Sequence, residues 1–429
     1  MTDPLTVVFM PESAYGPTNN CIGIGKVLEQ RGHRVVFAAE ASWRGRLEPL
    51  GFEEDLVDLA PSAEGGDQDA GQFWTDFITE TAPEFRKPTI EQLDTFIRPV
   101  WESLIDGAKY CEPQLKEILA RAHPDVIVED NVSGFPALLT HGAPWVRIMS
   151  CNPLEMKDPD LPPTFSGYPI DDPSGWADYR AEYDRTHREL WSGFNGWMLE
   201  QGAPPLPDLE FIHESEHLNL SIFPDAADYL RTRPLEDSWH RLESSVRDTE
   251  EPWSVPEQLR DGEGSLIYLS LGSLGSADVE LMRRLVDVLS RTGHRYIVSK
   301  GPRAEEFDLA GNMWGEARVP QTSIIPEVDL VITHGGNNTV TESLHFGKPM
   351  VILPLFWDQY DNAQRMHELG YGVRLATYDF SDDELTGAVD GLLADETLRS
   401  SLGALGDRIR DAGGVSHAAD LIEAVGQHA

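Results

Sequence analysis

The sequence predicts an α/β protein built from two doubly wound sheets that face each other across a cleft. Apolar runs of strand length alternate with stretches of helical period through both halves of the chain. The runs pause between Pro234 and Gly264, where proline, acidic residues and glycine mix, and resume at Ser265. The length, 429 residues, suffices for two domains with substantial cores. The expected division is a first domain over 1–233, a linker over 234–264, a second domain over 265–400 and a helical tail over 401–429.

In chain order, Leu5–Met10 is an apolar strand that runs into the loop Pro11–Thr18. A helix is expected from Asn19 or Asn20, either of which can cap it, to Arg31, with Gly32 as its stop. Arg34–Ala39 is the next strand, so the chain opens as a strand–helix–strand unit. Gly16, Gly23 and Gly25 lie close by, but no G-x-G-x-x-G stands at the strand-to-helix turn. Gly23 and Gly25 fall inside the helix, where small residues permit close packing on the sheet, and a dinucleotide-dependent dehydrogenase is disfavoured. Pro61–Gln72 reads as a polar loop, Phe73 to about Ala122 as helical, and Pro124–Val128 as a strand ending in Glu129-Asp130-Asn131. Val146–Ser150 is a short strand. After a proline-rich stretch, Tyr179, Tyr183, Trp191, Phe194 and Trp197 recur at helical spacing. Each suits helix-to-core packing; with Phe73, Trp74 and Phe77 they could also line an apolar cleft. Leu218–Phe223 is the last strand of the first half. In the second half, strands are expected at Ser265–Leu271, Tyr296–Ser299 and near Arg318, with a helix starting near Asp278, and the chain from Asp382 onward is helical.

The stretch Arg318–Arg365 carries the most chemistry. Asp329–Thr333 is a buried strand, His334-Gly335-Gly336 a tight turn, and a short helix starts near Asn338 or Thr339 and stops at Gly347 and Pro349, before the strand Met350–Leu353. A helix N-terminus beyond the carboxyl end of a strand is an anion site, because unpaired N–H groups and the positive dipole end point at the ligand. Pro320-Gln321, His334-Gly335-Gly336, Asn338, Thr339, Glu342, Gly347, Pro349, Pro354, Asp358-Gln359 and Asn362 together resemble the donor-binding segment of family 1 nucleotide-sugar glycosyltransferases, especially the bacterial macrolide-glycosyltransferase branch. The close match covers about a tenth of the chain; the rest agrees in layout.

The resemblance implies a GT-B fold, two Rossmann-like domains with the final helix crossing back onto the first. It also implies a metal-independent, inverting transferase that moves a sugar from a UDP- or TDP-sugar to a small apolar, natural-product-like acceptor. His334, Gly336 and the N–H groups of Asn338 and Thr339 would take the pyrophosphate, with Gly272 and Ser273 as a second contact. Glu342 would accept the ribose hydroxyls, although Thr339-x-x-Glu342 is also a capping box. Gln321 and the backbone of Val319 would meet the base and ribose. Arg318 stands where many members carry a Trp; a guanidinium plane also stacks on a pyrimidine. Asp358 and Gln359 would hold donor hydroxyls. In the family a His in the first strand-to-helix loop, activated by an Asp, is the base. Here Asp130 matches the Asp, but Tyr15 stands in place of the His, and a neutral tyrosine is a poor base at pH 7. Asp130 or Glu129 acting directly, Glu12 from the loop, or a nucleophilic acceptor remain open. Tyr15 also motivates a rival, a donor-binding homologue without transfer that acts as partner or sensor; a sugar-nucleotide epimerase is a third reading.

Lys and Arg total 34 against 73 Asp and Glu, a net charge of −39, so neither nucleic acid nor an anionic membrane is an expected partner. Cys21, Cys111 and Cys151 are odd in number and far apart, which indicates neither a disulfide framework nor a zinc site. Asp67-x-Asp69 and Asp158-x-Asp160 lie in polar loops rather than after an apolar strand, so no metal and no cofactor are expected. No apolar run has the length of a membrane span and no signal-peptide pattern opens the chain. A cytoplasmic monomer or homodimer is the expectation.

Overall fold

The computed structural model describes residues 3–61 and 80–427. Ser62–Gln72 of the expected polar loop, Asp67, Asp69, and the aromatic residues Phe73, Trp74 and Phe77 lie outside the described residues.

Among the described residues the strands form two sheets in which every pairing is parallel. The first contains β1 (Thr6–Pro11), β2 (Arg34–Phe37), β3 (Glu53–Glu54), β4 (Val126–Asp130), β5 (Trp145–Met149), β6 (Leu218–Ser221) and β7 (Trp239–Arg241), in the order β3-β2-β1-β4-β5-β6-β7. The second contains β8 (Leu266–Ser270), β9 (Arg295–Ser299), β10 (Met313–Glu316), β11 (Leu330–Thr333), β12 (Met350–Ile352) and β13 (Gly372–Arg374), in the order β10-β9-β8-β11-β12-β13. Both orders reverse direction beside their first strand, at β1/β4 and at β8/β11. That reversal opens a crevice beyond the carboxyl ends of the strands, where doubly wound sheets bind ligands. The carboxyl ends of β1, β4, β8 and β11, with the turns and helices that follow them, carry Glu12, Tyr15, Asp130, Gly272, Ser273, His334, Gly336, Asn338, Thr339 and Glu342, and the others follow β10 and β12. β1, β4, β5, β8 and β11 are buried almost throughout, which is why they read as mainly apolar runs, interrupted by Arg147 in β5 and ended by Glu129-Asp130 in β4.

Several local expectations shift. The first helix spans Tyr15–Gln30 and starts upstream of Asn19 and Asn20, neither of which caps it. Pro17 fits a first helical turn; Ala14 is the N-cap, with no side chain capping the helix, and its own N–H is accepted by the Glu12 carboxylate at 2.8 Å. Gly25 sits where a Cβ would lie 3.4–3.5 Å from Val35, Phe37 and Phe52, so its role is close packing on the sheet. β10 ends at Glu316 because its partner β9 ends at Ser299, which leaves Arg318 in a loop. Trp239–Arg241, within the segment read as a linker, pairs with β6 as an edge strand. Tyr179, Tyr183 and Phe194 are buried in the core, so their helical spacing reports packing rather than a cleft wall.

The tail consists of the helices Asp382–Ala394, Glu396–Asp411 and Gly414–Gln427. The last lies on the first helix and buries Ala418, Ala419 and Ile422 in the same cluster as Cys21, Ile22 and Val126. Burying an isoleucine of this kind stabilises by about 2 kcal/mol. His33 fixes this crossing at the end of the sheet remote from the cleft: its Nδ1 accepts the Leu5 N–H at 3.0 Å, and its Nε2 meets Glu423 at 2.7 Å. Cys21 and Cys111 are buried free thiols, and Cys151 is a half-buried one beside the cleft. None of the helices among the described residues is long and apolar enough to cross a membrane.

Candidate active site

A cleft of about 960 Å³ lies between the carboxyl edges of the two sheets and is lined by both. On the second sheet, β11 delivers His334, and Gly335 turns the chain with φ +87°, its N–H held by Thr333 Oγ1 at 3.1 Å. Gly336 is then the N-cap of the helix Asn337–His345, and no side chain caps it, so its first N–H groups face the cleft. The His334 ring lies between two glycines. A Cβ on Gly272 would approach it to 2.7 Å and one on Gly336 to 2.5 Å, and Gly272 itself has φ +72°. Burial against protein pushes the His334 imidazole down to about 4. It is thus neutral while no anion is near, and a pyrophosphate beside it would raise it again. Ser273 lines the cleft from the turn after β8.

The capping box does not form. Gly336, not Thr339, is the N-cap, and the Glu342 carboxylate points elsewhere. Its Oε2 accepts from Gln321 Nε2 at 2.5 Å and its Oε1 from Arg247 Nη1 at 3.2 Å. Gln321 also donates to Thr339 Oγ1 at 3.3 Å and accepts from the Tyr268 hydroxyl at 3.0 Å. Val319 and Arg318 line the same end of the cleft. The Arg318 guanidinium lies over the Tyr15 ring, 4.9 Å from its centre, while Arg46 donates to the Tyr15 hydroxyl at 3.1 Å and Trp43 packs against the ring. The two positions that depart from the family pattern therefore meet across the cleft.

Asp358 and Gln359 both line the cleft, but their side chains are engaged with protein. Gln359 Oε1 accepts the Leu355 and Phe356 N–H groups at 3.0 and 3.3 Å, which holds the turn where Trp357 has φ +56°. Asp358 Oδ2 accepts the Asn152 N–H at 2.9 Å, from the first half of the chain. Burial raises Asp358 to about 7.

On the first sheet, Asp130 ends β4 and lines the cleft. Its Oδ1 accepts from the Ser150 hydroxyl, and burial raises it to about 7. Glu129, one residue earlier, points to the other face of the sheet and does not line the cleft, so it drops out as a base. Glu12 lines the cleft, yet its carboxylate is drawn back to its own loop by Ser13 Oγ at 2.9 Å and the Ala14 N–H. Asn338 donates through Nδ2 to the Gly16 carbonyl at 3.1 Å and exchanges bonds with Asn20, tying the donor-side helix to the first one. Arg247, which lines the cleft, and Asn152, whose N–H meets Asp358, had no motif around them in the sequence; only the fold brings them to these places. No group of three or more side chains placed to hold a metal ion occurs among the described residues.

Residues 251–411 match a family model described as UDP-glucoronosyl and UDP-glucosyl transferase. The chain is 24% identical over 415 residues to the NDP-glycosyltransferase YjiC of Bacillus subtilis (strain 168), covering 96% of this chain and 95% of the relative. It is 24% identical over 431 residues to the oleandomycin glycosyltransferase of Streptomyces antibioticus, covering 99% and 91%. Among solved structures it is similar in fold to the glycosyltransferase VinC in complex with DTDP, with a TM-score of 0.68, 16% identity and coverage of 99% and 100%.

Proposed function

We propose, from the premise that this chain belongs to the family of UDP-glucosyl-type, nucleotide-sugar glycosyltransferases, that it transfers a sugar from a UDP- or TDP-sugar to a small apolar acceptor, with inversion and without a metal. The observation that carries this is the opposition, in one cleft, of an uncapped helix end with its histidine to a buried carboxylate at Asp130. Asp130 takes the proton of the acceptor hydroxyl as that oxygen bonds to the anomeric carbon. The bond from that carbon to the phosphate oxygen breaks on the opposite side. The departing pyrophosphate is met by the N–H groups at Asn338 and Thr339 and by His334. A base near pH 7 is well matched to this work, and Asp130 stands at about 7.

Tyr15 is not the base in this reading. Held by Arg46, Trp43 and Arg318, it forms part of the wall of the cleft that Asp130 also lines. The oleandomycin relative's name supports a natural-product acceptor, and the DTDP bound to VinC supports a TDP-sugar as one candidate donor. A homologue that binds donor without transfer finds no support in the comparisons.

The test is incubation with UDP- and TDP-sugars and a panel of apolar hydroxylated acceptors, read by mass shift, with the anomeric configuration of any product read by NMR. A product of inverted configuration is expected. No transfer across a broad panel, or retention of configuration, would sink the proposal.

A further inference from the structure

Glu342 is nearly sealed in protein, its side chain 4% exposed, and so is the arginine that meets it, at 10%. Arg247 comes from the segment that joins the two sheets, outside the residues matched by the family model. Its Nη1 donates to Glu342 Oε1, and its Nη2 pairs with Glu250. The other Glu250 oxygen accepts the Thr322 N–H at 2.7 Å and the Thr322 hydroxyl at 2.9 Å, and Thr322 follows Gln321 at the start of the turn Gln321–Ile324. One guanidinium thus secures Glu342 directly and Gln321 through Glu250 and Thr322, both of which line the cleft. It is braced from behind by the first helix, where a Cβ on Gly23 would lie 3.4 Å from the Arg247 Cβ.

We propose that Arg247 is a positioning residue of the donor site, which holds the Glu342 carboxylate ionised and aimed so that it accepts the hydroxyls of a nucleotide ribose. This rests on the reading of the donor as a nucleotide sugar. Each oxygen of a carboxylate has two accepting directions, so Glu342 can keep Arg247 and Gln321 and still receive a hydroxyl on each. A protonated carboxyl could not, because one oxygen would carry a hydrogen toward the sugar. Burial raises Glu342, as does neighbouring Glu250, and Tyr268 adds no positive charge; Arg247, the cation among the groups facing it, opposes them most strongly, and the Gln321 amide adds to its effect.

The test is calorimetric titration of the full chain with UDP and TDP, each against its 3′-deoxy counterpart, for wild type, Arg247→Gln and Glu342→Gln. A hydroxyl bonded to a charged acceptor is worth a discrimination of about tenfold or more, so the wild type should prefer the parent nucleotide by that factor. In R247Q the ratio should collapse toward one at pH 7 and recover as pH rises and Glu342 ionises, and E342Q combined with R247Q should match E342Q alone. Arg247→Met keeps the stem that packs on Gly23 and replaces the glutamine variant if that fails to fold, as judged by thermal melting. A purely structural arginine would weaken parent and 3′-deoxy nucleotide alike, and an unchanged ratio in R247Q or R247M overturns the proposal. If wild type binds neither nucleotide, the donor reading falls together with it.

Discussion

In the proposed reaction Asp130 is the residue on which transfer depends most directly, and its environment sets a pH signature. A base with a pKa of about 7 acts only when ionised. The transfer rate at low substrate should therefore fall about tenfold per pH unit below 7 and level off above it, as a pH profile of kcat/KM would show. Asp130→Asn keeps the shape and removes the base, so kcat should drop by roughly 10²–10⁴ while UDP or TDP still binds. Retained turnover in D130N would pass the role to Glu12 or to the acceptor itself. Asp130, His334 and Glu342 were legible in the sequence because a strand end or a motif offset marks each one. Arg247 was not, since a lone arginine in an irregular segment carries no local signal and its partner Glu342 lies 95 residues away. Nor was the use of Gln359, whose amide supports its own turn.

At the scale of elements, the strand–turn–helix from Leu330 to His345 is the most constrained unit of the cleft. Its helix lacks a capping side chain, which leaves its first N–H groups at the wall of the cleft without a side-chain partner. Gly336→Ala would drive a methyl into the His334 ring, which has Gly272 on its other side. The expected result is a loss of nucleotide affinity of about tenfold and a destabilisation of about 1–3 kcal/mol, the usual range for overpacking, measured by calorimetry and denaturant unfolding. Periodicity found these strands and helices because both sheets are covered and their central strands are mainly apolar. It could not separate a core aromatic from a cleft aromatic, since Tyr179 and Tyr183 satisfy the same spacing either way, and it could not place a helix start at Tyr15, where Ala14 is the N-cap and no side chain caps the helix.

For the whole molecule, net charge and the buried carboxylates act in the same direction, while His187, His334 and His345, lowered by burial to about 4, oppose them only below the ordinary histidine range. Asp130 and Asp358 stand at about 7, and Glu129 and Asp361 at about 8, all raised by burial. Carboxylates in an unfolded chain titrate near 4. The folded state thus binds more protons between those values, and the stability this contributes is present at low pH and lost as pH rises through 7 to 8. The net charge of −39 adds a repulsion that also grows with pH and is screened by salt. The melting temperature should therefore rise from pH 8 to pH 6, and rise with sodium chloride at pH 8; a flat or opposite trend in differential scanning calorimetry would contradict this. The two-sheet plan itself was legible, because alternating strands and helices leave few other arrangements. What joins the halves was not, for Asn338 reaches Gly16 and Asn20 across more than 300 positions in the chain. That bridge limits how the protein can be recombined. A chimera that takes its first half from a relative and its second half from this chain would face Asn338 with whatever residue stands in the place of Asn20. Acceptor scope should transfer cleanly only when that small polar patch travels with the grafted half.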